Sequence, residues 1–110
     1  MNKAIIAVIS RSRPEHGEII TALERSKVDL GRVQKFSTAG EVLARSFSSR
    51  IALIVVARSE REAVLADRAY AVLTKKSCIP CCFLTGPESK TVEEMIGEVQ
   101  RELAPADQIS

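Results

Sequence analysis

The run Ile51-Ala-Leu-Ile-Val-Val-Ala57 restricts this chain more than any other stretch. Seven uncharged residues stand between Arg50 and Arg58-Ser59-Glu60-Arg61-Glu62. A run this short, apolar and rich in β-branched residues reads as a strand buried on both faces. Such strands occur in parallel sheets covered by helices above and below. This one is expected to be the central strand.

Ala4-Ile-Ile-Ala-Val-Ile-Ser10 is a second continuous apolar run and a second buried strand. Ser10-Arg-Ser-Arg13 ends it, and Pro14 suits the first turn of a helix, where its missing N–H costs nothing. Glu15 and Glu18 favour that end through the helix dipole, and Ile19, Ile20 and Leu23 form the apolar stripe. Arg25 and Lys27 are expected in its last turn.

Asp29-Leu-Gly31 is expected to turn. Val33-Gln-Lys-Phe-Ser37 alternates as an edge strand does, and Ser37-Thr-Ala-Gly40 caps a short helix over 41–47, with Val42 and Leu43 facing inward. Ser59 and Glu62 have the spacing of a capping box, predicting one helix over 60–76 with Val64, Leu65, Ala69, Val72 and Leu73 inside. Tyr70 is expected to be partly buried there. Ile79-Pro-Cys-Cys-Phe-Leu84 is the fourth strand, with Pro80 at its start or on an edge. Thr85-Gly-Pro-Glu88 is a loop. Val92, Met95, Ile96, Val99 and Leu103 repeat at helical spacing until Ala104-Pro105 stops them. Residues 1–104 thus form one α/β domain, and 105–110 a polar tail.

Strands alternate with helices throughout, the pattern of a parallel sheet with right-handed crossovers. At 110 residues the chain can bury a core without staples. Sixteen basic against 14 acidic residues give +2, too balanced to imply nucleic acid. Three Phe, one Tyr and no Trp make base-stacking platforms a poor expectation. No apolar run approaches the roughly 20 residues that span a membrane, and the six apolar residues after Lys3 are too few for a signal peptide. The expected location is cytoplasmic, with neither membrane nor nucleic acid as partner.

Taken in order, these pieces resemble a response-regulator receiver domain. "AIIAVISRSRPEHGEIITALE" is similar to that family's first strand, acidic turn and first helix, and "VQKFSTAGEVLARSFSSRIALIVVA" to the approach to its phosphorylated strand. "SCIPCCFLTG" resembles its fourth strand, and "KTVEEMIGEVQRELA" its last helix. The resemblance covers nearly the whole chain. It implies a flavodoxin-like parallel sheet of four strands, the fifth left open because only about six residues separate strand four from the last helix.

The family's chemistry does not carry over. Receivers hold Mg²⁺ with acids after strand one and phosphorylate an Asp ending strand three, because carboxylates bind a hard cation that neutralises phosphoryl charge. Here the acid positions fall on Arg11 and Ser12, and the acceptor on Ala57, or Arg58 if the register slips by one. Thr85 matches the switch hydroxyl; either the unit that carries the family's lysine is missing, or Phe83-Leu-Thr-Gly-Pro87 stands in for its turn, with Gly86 in the lysine's place. The resemblance therefore implies a non-phosphorylatable module with no catalytic residue, metal or cofactor, binding a signalling or regulatory protein. A homodimer through strand four is a further expectation, since a missing fifth strand exposes that edge.

A different reading rests on charge. Arg11 and Arg13 follow strand one, and Arg58 and Arg61 follow strand three, at the switch point where such folds bind ligands. Four guanidinium groups there would suit a phosphate-bearing ligand or an acidic surface; the plainer expectation is pairing with Glu15, Glu60 and Glu62. Cys78-x-x-Cys81 runs into a strand rather than opening a helix, so neither redox nor zinc chemistry is expected of it, and Cys78 is the thiol expected outside. His16 has no nucleophile arranged beside it. The small central-stalk subunit of rotary ATPases is similar in length and strand order, but its loop residues are absent.

Overall fold

The computed structural model describes residues 4–84 together with Glu94, Ile96 and Gly97. Thr85, Gly86, the question of a fifth strand, most of the last helix and the 105–110 tail lie outside the described residues. Glu94, Ile96 and Gly97 are helical, as the spacing predicts, and Ile96 is buried.

The sheet contains β1 (Ile5–Ile9), β2 (Val33–Phe36), β3 (Ile51–Val56) and β4 (Cys81–Phe83). Every pairing is parallel and the order is β2-β1-β3-β4, consistent with a flavodoxin-like arrangement. β1 and β3, the two continuous apolar runs, lie at the centre with every residue buried. β2, the alternating run, is an edge strand.

The two faces carry separate cores. Ile6 and Val8 of β1 and Leu53 and Val55 of β3 pack with Ile19 and Leu23 of α1 (Arg13–Arg25) and with Ile96. Ile5, Ala7 and Ile9 lie on the other face with Ile54 and Val56, against α2 (Ala39–Ser46), α3 (Arg61–Ala66) and α4 (Arg68–Ala71). Ile5 pairs with Ile51 but Ile6 with Leu53, which makes Ala52 an extra residue. That bulge explains why Ala52 and Leu53, although adjacent, join the same core. Each large aliphatic side chain sealed here contributes about 1.5–3 kcal/mol of transfer free energy.

The helix ends differ from expectation where the backbone found other partners. α1 closes after Arg25 in a Schellman turn: Val28 N–H reaches Leu23 C=O and Lys27 N–H reaches Glu24 C=O. Lys27 is therefore outside the helix, at φ 60° where glycine is the usual occupant. α2 starts at Ala39 rather than 41, because Thr38 Oγ1 accepts from Glu41 N–H while Glu41 Oε1 accepts from Ser37 N–H. That resembles a capping box, with the Glu41 carboxylate reaching one residue beyond the Thr38 cap.

The single helix over 60–76 is corrected most. It is a 3₁₀ turn (Arg58–Glu60), then α3, then a break at Asp67, then α4 running into a π turn (Val72–Lys76). Asp67 is in extended conformation and its Oδ1 accepts from Ala69 N–H, capping α4 anew. The break rotates Leu65 out to solvent, whereas Val64, Ala69 and Leu73 stay inside. Ser59 caps nothing here. β4 begins at Cys81 rather than Ile79, since Pro80 has no N–H to donate and serves only through its carbonyl, which accepts from Ile54 N–H.

Candidate functional site

The carboxyl ends of β1, β2 and β3 converge on one rim, held by the backbone. Ser10 N–H donates to Phe36 C=O at 3.1 Å, and Ala57 N–H to Ile9 C=O at 3.0 Å. Ser10 is fully buried, and its hydroxyl donates to Ser12 C=O at 3.0 Å, folding the chain into α1. The rim thus presents the 11–15 segment beside the 57–62 segment.

Side chains tie these segments together. Arg11 Nε donates to both carboxylate oxygens of Glu60 at 3.2 Å. Glu60 is buried, with its side chain 5% exposed, whereas that of Arg11 is 65% exposed. Beside this pair, Ser59 N–H donates to Glu15 Oε2 at 3.1 Å and Ser59 Oγ donates to Glu15 Oε1. The residue read as a helix cap instead fastens α1 to the turn after β3. A carboxylate so buried needs such a partner, because an unpaired charge there would be costly.

The four arginines do not form one cluster of equals. Arg11 is committed to Glu60. Among the described residues no ion pair is formed by Arg13, Arg58 or Arg61, all three exposed. Arg58 and Arg61 share a shallow cleft of about 340 Å³ with Ser59, Glu62 and Leu84. A smaller hollow of about 100 Å³ lies beside Arg11 and Glu60, walled by Thr38, Ala39, Val64 and Asp67. Ala57 is wholly buried and packs with the α1-side core. No group of three or more His, Cys, Asp or Glu able to hold a metal occurs among the described residues.

His16 is half-buried on the first turns of α1. Its Nδ1 is buried without a hydrogen-bond partner among the described residues. Burial first, and Lys35 second, push its pKa below the ordinary 6.5, which favours the neutral ring. Tyr70 packs edge-on against Phe83, with ring centroids 5.5 Å apart. No described helix is long and apolar enough to cross a membrane.

The cysteines sort by exposure. Cys82 is buried, Cys81 half-buried and Cys78 exposed, and none is in a disulfide. Burial, then the neighbouring Cys82, push the Cys81 thiol up to about 12, so it stays protonated and unreactive. Iodoacetamide at mildly alkaline pH is therefore expected to modify Cys78 alone in the native protein, and all three thiols in denaturant. Peptide mass mapping checks this, and native labelling of Cys81 would contradict the packing of β4.

No family model matches the chain, and no curated protein or solved structure matches it.

Proposed function

We propose that this protein is a receiver-like regulatory module that cannot be phosphorylated and that acts by binding another protein through the rim at the strand carboxyl ends. The observation that supports this most is the content of the rim. Where a receiver keeps its acceptor carboxylate this chain has Ala57, sealed in the core. Where a receiver keeps its metal-binding acids this chain has Arg11 and Ser12, and Arg11 is neutralised by Glu60. Among the described residues the rim carboxylates Glu15 and Glu60 are committed to Ser59 and Arg11, and no group able to cradle Mg²⁺ is formed. The two loops are already tied by Arg11–Glu60 and Glu15–Ser59, which favours one constant rim conformation over a switched one.

The test has two arms. In the first, beryllofluoride with Mg²⁺ is titrated while amide spectra are followed, and no saturable Mg²⁺-dependent shift is expected. In the second, affinity capture from the native host is compared between the wild type and Arg58→Glu/Arg61→Glu. A captured protein lost with those charge reversals supports the proposal. Mg²⁺-dependent beryllofluoride binding, or capture indifferent to the reversals, overturns it.

A second reading follows from the shared cleft of Arg58 and Arg61, which suits a phosphate-bearing small ligand. Thermal stabilisation by pyrophosphate or nucleotides, abolished by Arg58→Ala, would favour that reading over a protein partner.

A further inference from the structure

We propose that the groove at the amino ends of β3 and β4 docks an acidic peptide segment of another protein, seated by an apolar side chain beside Phe47. This surface lies at the opposite end of the sheet from Arg58 and Arg61 and does not depend on them.

The groove measures about 610 Å³ and runs between the end of α2 and the π turn that precedes β4. Leu43, Val72, Ile79 and Pro80 supply apolar walls. Phe47, the C-cap residue of α2, stands at its margin with 82% of its surface in solvent. The other two phenylalanines, Phe36 and Phe83, are packed against the core. A phenyl ring left outside costs the burial it could have had, and when it adjoins an apolar groove the two form one contiguous patch. Aromatic side chains in such settings are the usual anchors of interfaces.

Charge selects the occupant. The charged residues lining the groove are Arg50 and Lys76, and no Asp or Glu lines it among the described residues. An acidic segment places a carboxylate over Lys76 while an apolar residue enters between Phe47 and Val72. A second copy of this chain is disfavoured on the same ground. Two-fold docking would set the Lys76-bearing patch of one copy against the same patch of the other, with no acidic residue of the groove to face it among the described residues.

The experiment selects random phage-displayed dodecapeptides on the full chain and measures the enriched peptides by fluorescence anisotropy. The expected result is enrichment of Asp and Glu around a Leu, Met or aromatic residue. Affinity should fall about tenfold or more in Phe47→Asp, and also in Lys76→Glu, with unaltered circular dichroism in both variants. It should weaken with added salt and be unchanged in Arg58→Ala. Failure to enrich, enrichment of neutral or basic peptides, or equal binding by Phe47→Asp would overturn the proposal. So would sedimentation showing a dimer that dissociates in Phe47→Asp, which would assign the groove to a second copy.

Discussion

Ala57→Asp is expected to lose about 3 kcal/mol or more of unfolding free energy and to gain no phosphoryl chemistry. Ala57 is 0% exposed, and its side chain lies on the α1 face of the sheet with Leu53 and Val55. Its N–H is fixed to Ile9 C=O, so the backbone cannot easily swing the new group outward. The carboxyl would enter an apolar cluster and add volume to a filled site. Its charged form would be disfavoured there, raising its pKa above the unfolded value of about 3.9.

The sign of the pH dependence follows from that shift. An acid raised on folding costs nothing while protonated in both states, below about pH 3.9. The cost grows as pH rises from there to the raised folded value and is constant above it. Ala57→Asn carries the volume without the charge, so the two variants should converge in acid and separate at neutral pH. Urea unfolding across pH reads both effects. Mg²⁺ should still not bind, since Arg11 and Ser12 supply no companion carboxylate. Wild-type stability in Ala57→Asp would show that residue 57 faces the rim rather than the core.

Much of this arrangement is legible in the chain because burial leaves a local trace. β1 and β3 are apolar without alternation since helices cover both their faces, and their positions in a parallel sheet follow from helices falling between strands. β2 carries Gln34 and Lys35 between Val33 and Phe36 and is only half-buried because it is an edge. Ala57 is thereby placed at the end of the central strand, and Arg11 at the end of its neighbour. What local pattern does not carry is the choice among partners that each satisfy a polar group equally well. Ser59 and Glu62 have capping-box spacing, yet Ser59 bonds to Glu15, separated by 44 positions. A serine hydroxyl serves either role, and the crossover decides which acceptor is near. Asp67 is equally ambiguous: inside a helical pattern it reads as a solvated residue, but its carboxylate can also cap a new helix, and it does. Val64, Ala69 and Leu73 remain apolar inside positions with or without that break, so their spacing does not reveal it.

The Arg11–Glu60 pair, 49 positions apart, is the least legible feature of the rim and gives the second large effect. Arg11→Ala is expected to destabilise the fold by about 1–3 kcal/mol, and Glu60→Gln by distinctly less. The asymmetry comes from exposure. Arg11 is 65% exposed, so its guanidinium keeps most of its water when Glu60 is neutralised. Glu60 is 5% exposed, so its carboxylate keeps little when Arg11 is removed. The double variant Arg11→Ala/Glu60→Gln should recover most of the loss, because no buried charge is then left unpaired. Urea unfolding of the four proteins closes the cycle. An ordinary solvated pair would instead give two similar losses, each under about 1 kcal/mol, with no recovery in the double variant. The same substitutions bear on function: Glu60→Gln releases Arg11 to join Arg13, Arg58 and Arg61. If the rim recognises anions, that variant should bind pyrophosphate more tightly than the wild type, and if the pair serves only to fasten the two loops, it should not.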